Sequence, residues 1–216
     1  VGTGDVTATQ IATVKGQYEF DWMNWPAAWG APYHDVDGDG AYDASVDVPG
    51  YPGADQTVWT VANDVPLIVD ANGDSTGYLD TAPGLGGADA IGIELQITLW
   101  GYAFGASDPL GNVIFKKATM HYKGTPDTPD GATMDDTYFA LFSDPDLGNF
   151  TDDYVGCDVP LSFGYVYNGN RLDGVFNGIY NLACPAAGYD FLQGPKDTYD
   201  IDGDEDTDEY LGMTSF

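Results

Sequence analysis

The stretch IGIELQITLW, Ile91 to Trp100, decides the fold. Ile91, Ile93, Leu95, Ile97 and Leu99 fall on one side of an extended chain, and Gly92, Glu94, Gln96 and Thr98 fall on the other. A period of two predicts a strand with one face in a core and one in water. Working outward, Thr57 to Ala62, Val113 to Tyr122 and Leu161 to Tyr167 read the same way. Thr137 to Phe142 is apolar on both faces and reads as a central, covered strand. Val6 to Trp22 alternates less cleanly but places Tyr18, Phe20 and Trp22 together, so it too reads as extended. Helix signals are sparse, and Gly, Pro, Asp and Asn punctuate the runs. The fold class expected is all-β: an antiparallel β-sandwich or jelly roll with long calcium-binding loops. One β-rich domain is expected over residues 1–216, with no internal boundary.

Six basic residues face 35 acidic ones, for a formal charge of −29. That balance argues against nucleic acid and anionic membrane as partners. Aromatic residues make up 14% of the chain, too many for a disordered acidic tail. No run approaches the ~20 apolar residues of a membrane helix, so no membrane insertion is expected. All the acidic residues are Asp except Glu19, Glu94, Glu205 and Glu209. Aspartate makes turns and metal loops, whereas glutamate belongs on helix faces.

The aspartates gather. DVDGDGAYD presents Asp35, Asp37 and Asp39, then Gly40 for a sharp turn, then Asp43, with Asp47 following. Alternate carboxylates around a glycine turn are a pattern for Ca²⁺, a hard cation that takes six to eight oxygen ligands. An EF-hand needs a bidentate Glu to close its loop. Val46 stands there instead, so the pattern is closer to shorter aspartate loops. Three further stretches are candidate calcium ligands: Asp70, Asn72 and Asp74; Asp144, Asp146, Asp152 and Asp153; and Asp200, Asp202, Asp204, Asp206 and Asp208. Each also reads as an ordinary Asx-turn or a solvated acidic loop. Trp22, Trp25, Trp29, Tyr33 and Tyr51 crowd around the first loop, either covering the core or offering rings on which a sugar can stack.

No catalytic constellation stands out. His34 and His121 are isolated, no serine sits in a nucleophile elbow, and neither a zincin helix nor a phosphate loop is present. Cys157 and Cys184 are the only cysteines, and an oxidising compartment would pair them. Ser75, Thr81 and Asn149 lie in patterns that invite glycosylation. The start at Val1 reads as processed or trimmed. The apolar end, Leu211 to Phe216, reads as a place where the rest of a longer chain or another subunit continues, with Phe216 buried beside a strand.

The ordered blocks GADQTVWTVANDV (53–65), GIELQITLWGYAF (92–104), LGNVIFKKATMHYKG (110–124), TYFALFSDPDLGNFTDDYVGCD (137–158), LSFGYVYNG (161–169) and GYDFLQGP (188–195) resemble large secreted proteins of Bacteroidota and related lineages. Many of those proteins carry a type IX secretion sorting signal. The resemblance implies an extracellular or cell-surface location and carries no enzymatic activity. It also implies a chain longer than this one. The function expected is that of a calcium-stabilised structural or adhesive surface domain, with other protein subunits as partners. A glycan-binding module is the alternative, and a glycan-active enzyme is the remaining one.

Overall fold

The computed structural model describes residues 6–65, 67–69, 71–72, 75–78, 89–105, 107–196 and 210–215, without the side chains of 67–69 and 75–78. They gather into two units, Val1–Asp135 and Asp136–Phe216. The sequence shows no boundary there. Among the described residues most regular structure is antiparallel strand, with two α-helices.

The first unit opens with a helix, α1 (Ala8–Met23), where periodicity predicts a strand. A capping box decides it. The Thr7 hydroxyl accepts from the Gln10 N–H at 3.2 Å, and the Gln10 side chain accepts from the Thr7 N–H at 2.9 Å. The run that follows is free of proline until Pro26. Asn24 closes the helix, its amide side chain donating to the Phe20 carbonyl. No residue of α1 is buried. Its C-terminal end is tethered through Trp22: the indole donates to Ala44 O at 3.3 Å, and the Tyr42 hydroxyl donates to Trp22 O at 2.7 Å.

Strands β1 (Tyr33–His34) and β2 (Val48–Pro49) pair around the first aspartate loop. Then come β3 (Gln56–Asn63), the hairpin β4 (Leu67–Val69) and β5 (Ser75–Tyr78), β6 (Ile93–Gly101) and β7 (Ile114–Tyr122). β6 is central, between β3 and β7, with Trp59 opposite Thr98 and Thr98 opposite Lys117. The expected polarity of its faces is inverted. The side carrying Gln96, Thr98 and Trp100 is the covered one. Thr98 is buried, Tyr51 stacks on Trp100 at 4.0 Å and 8°, and the Gln96 amide donates to Trp29 O at 3.1 Å. Gly30, at φ +104°, lies against Gln96, where a Cβ would collide. Across the sheet, Thr57, Trp59, Val61, Phe115 and Thr119 share this covered side and are half-buried. The aliphatic side is the more open, with Val58 and Met120 exposed. The reason is the loop 25–51, from which Tyr51 stacks on Trp100 and the Trp29 carbonyl and Gly30 meet Gln96.

The second unit holds β8 (Asp153–Asp158), β9 (Phe163–Asn168), α2 (Gly174–Tyr180) and β10 (Ala187–Asp190), with β9 central. The run 137–142, expected as a covered strand, is irregular and open, with Tyr138 85% and Phe142 88% exposed. It finds no ladder partner among the described residues, so apolar content alone does not make it a strand. The C-terminal stretch is tied down: Leu211 N donates to Pro195 O at 2.9 Å and Met213 N to Ser162 Oγ at 3.0 Å. Phe216 lies outside the described residues.

One carboxylate anchors the turn into β6. Asp64 accepts from the N–H groups of Ile91, Gly92 and Ile93 at 2.8–3.0 Å. Replacing it strands three donors, each charge-assisted bond being worth roughly 1.5–3 kcal/mol. Asp64→Ala is expected to lower stability by about 2–4 kcal/mol and to speed exchange of those three amides. Unchanged exchange there would refute the anchor.

Candidate functional site

The first aspartate loop folds around its own carboxylates. Asp35 accepts from Gly38 N at 2.7 Å and from Gly40 N at 2.9 Å, one oxygen for each. Both glycines have positive φ, +75° and +78°, which turns their N–H groups inward at little steric cost. Asp39 accepts from Ala41 N at 2.8 Å, and Asp43 from the Ser45 N–H and hydroxyl. Asp47 is 2% exposed and closes the loop. One of its oxygens accepts from Val36 N at 2.9 Å and the other from Asp43 N at 2.8 Å.

Asp35, Asp37 and Asp39 converge, each offering an oxygen within 4.8 Å of the others. Two ligands on one Ca²⁺ can lie up to about 4.6–5.2 Å apart, the diameter of its coordination shell. The triad therefore fits that ion in spacing and in donor hardness. Asp43 and Asp47, expected to complete the shell, are not part of the triad. The remaining ligands would be water or peptide carbonyls. The Gly40 N–H, with Gly38, Asp39 and Asp37, holds the Asp35 carboxyl below its ordinary pKa, against an opposing effect of desolvation. Desolvation, with the charges of Asp39, Asp47 and Asp35, raises that of Asp37. A lowered folded-state pKa means that Asp35 favours the folded loop above its ordinary pKa. That contribution is lost as pH falls through the lowered value. Asp37 has the opposite sign, which a cation would reverse.

Beside the triad an open cleft of about 420 Å³ is lined by Trp25, Tyr33, Tyr42, Gly40 and three alanines. Tyr33 and Tyr42 meet edge to face at 5.4 Å, and the Trp25 indole donates to Pro32 O.

The other expected metal loops fare differently. Asp70, Asp74 and the run Asp200, Asp202, Asp204, Asp206 and Asp208 lie outside the described residues, and Asn72 alone of these is placed. Asp144, Asp146, Asp152 and Asp153 do not converge on a common point. Asp153 accepts from Leu147 N at 2.9 Å and Asp152 from the Asn168 and Asn170 amides, so these two brace a turn. Asp173, which sequence reasoning did not single out, is the buried centre of that turn at 2% exposure. It accepts from Asn149 N at 3.2 Å and caps α2 at Phe176 N. Its signal was present as an N-cap aspartate ahead of GVFNGIY.

The expected disulfide is not formed. Cys157 and Cys184 are free thiols. Cys184 donates its S–H to Leu147 O at 3.3 Å, and Cys157 is exposed on β8. Burial, then the charges of Asp173, Asp153 and Asp152, push the Cys184 thiol pKa up and keep it protonated.

On the same sheet the rings of Phe163, Tyr165, Tyr167 and Tyr154 follow one another at 5.7, 6.1 and 5.8 Å, turned by only 23–33°. They lie over glycines: a Cβ on Gly156 would strike Tyr165, one on Gly188 Phe163, and one on Gly169 Tyr154.

No family model matches this chain, nor does any curated protein or solved structure. No helix among the described residues is long and apolar enough to cross a membrane.

Mass spectrometry of alkylated native protein is expected to show two free thiols, Cys157 labelling well before Cys184. A mass two hydrogens short, with no label at either position, would restore the bridge.

Proposed function

We propose that this chain is a calcium-stabilised structural or adhesive domain of an extracellular or cell-surface protein, built to join other subunits. The observation that carries it is the Asp35–Asp37–Asp39 triad, held by the loop's own backbone around positive-φ glycines. Three converging carboxylates repel one another, and an ion that binds only the folded loop removes that repulsion. The open aliphatic side of the β3–β6–β7 sheet fits the same reading, since a second layer over it would complete a sandwich. The resemblance to secreted Bacteroidota proteins supports the location.

Glycan binding is the second reading. Two observations favour it: the cleft of Trp25, Tyr33 and Tyr42 beside the triad, and the ring strip from Phe163 to Tyr154. Flat aromatic faces stack on the C–H faces of sugars, and neighbouring carboxylates accept sugar hydroxyls. A glycan array separates the readings, because an assembly domain without sugar affinity leaves it blank.

Thermal melts with EGTA and with excess Ca²⁺ test the metal. Binding to the folded state alone adds ~2.7 kcal/mol at a hundredfold excess over Kd. The melting temperature is expected to rise by several degrees with Ca²⁺, and Asp37→Ala is expected to abolish most of that rise. Superimposable curves would end the calcium reading.

A further inference from the structure

Among the described residues, strand β7 is an edge. β6 pairs one side of it, and no described residue pairs the other. All of β7 except Phe115 and Thr119 is exposed, Ile114 to 76%. An open edge offers a row of N–H and C=O groups to any chain that can lie beside it. This edge is also where positive charge collects. Lys116, Lys117 and Lys123 are half of the chain's six basic residues, and His121 lies among them. Lys123 pairs with Glu94. No ion pair is formed by Lys116 or Lys117 among the described residues.

Lysine on an edge also serves to prevent strand pairing, because it repels a second edge of the same kind. Two copies meeting β7 to β7 are excluded on that ground. The balance changes when the incoming strand comes from elsewhere on a second copy. Among the described strands, β8 (Asp153–Asp158) has an open edge and an aspartate at each end, opposite in sign to Lys116 and Lys117. Screening weakens this short-range attraction less than it weakens the repulsion between the remaining charges, which act beyond the ~8 Å reach of charge at physiological salt. The face beside the edge adds the apolar half of the fit. Leu95 and Leu99 are half-buried and Val58 and Met120 exposed on the open aliphatic side, so a strand added to β7 would extend that side with its own alternate residues.

We infer that the β7 edge receives an acidic strand from a second copy of this chain, head to tail. Such a contact uses two different surfaces, so it repeats without closing and builds a fibre or layer. The inference rests on the structural reading above and names the surface that reading lacks.

The test mixes ¹⁵N-labelled and unlabelled full-length chains in Ca²⁺ at physiological ionic strength, follows assembly by light scattering, and couples amines to carboxylates with a carbodiimide. The expected result is heavy–light cross-links from Lys116 or Lys117 to Asp or Glu. Lys116→Glu/Lys117→Glu is expected to reduce assembly about tenfold or more, the scale of two reversed charge contacts. Lys116→Gln/Lys117→Gln, which keeps bulk and β7 geometry, is expected to fall between, with an unchanged melt; it carries the test if the glutamate variant unfolds. Assembly that proceeds normally in the glutamine variant, or heavy–light links that avoid β7, overturns the edge and leaves the structural reading standing. Cross-links confined within single copies of a chain that stays monomeric overturn both.

Discussion

The bond on which this structure depends is the one from a backbone N–H to an aspartate carboxylate. Asp64 gathers three amides before β6, Asp47 joins the two ends of the first loop, Asp35 holds its two glycines, and Asp173 fixes the turn at Asn149 while capping α2. Irregular chain has no ladder to satisfy its N–H groups, and leaving them unpaired costs more than the bond itself contributes. A carboxylate accepts several at once and binds each more strongly than a neutral acceptor does. Much of the −29 charge is thus structural, serving as an internal acceptor set for long loops.

That division of labour also explains why one loop offers a cation site and another does not. In the loop 35–47, Asp47 joins the loop's ends, while Asp35, Asp37 and Asp39 converge with only backbone N–H groups and one another as partners, Asp37 and Asp39 exposed. In the turn 147–153, Asp152 and Asp153 meet Asn168 and Asn170, whose amides donate, so the negative charge is already answered by protein. Only the first arrangement leaves carboxylates whose mutual repulsion an ion would relieve.

Some of this was legible in the sequence. Period-two alternation located β3, β6, β7 and β9, because strand geometry imposes it whatever lies above the sheet. It did not say which side would be covered. That was set by the loop 25–51, which brings Tyr51 onto Trp100 and the Trp29 carbonyl to Gln96 from a distance in sequence that periodicity does not see. α1 was misread because Tyr18, Phe20 and Trp22 alternate by chance, while the deciding signal was the short capping box at Thr7 and Gln10. The triad was legible from spacing alone. That Asp43 and Asp47 lie outside it was not, since a carboxylate poised for an ion and one that accepts from an amide occupy the same kind of turn. Asp64 and Asp173 each stand singly in sequence, and only the fold brings amides to them.

Amide hydrogen exchange at Val36 and Asp43, measured in EGTA, tests the central claim most directly. If Asp47 closes the loop through these two N–H groups, both are protected without any metal, and Asp47→Ala removes the protection while leaving the amides of β6 slow. Exchange of Val36 and Asp43 at the rate of an unstructured peptide until Ca²⁺ is added would contradict the account, because the ion and not the backbone would then be what folds the loop.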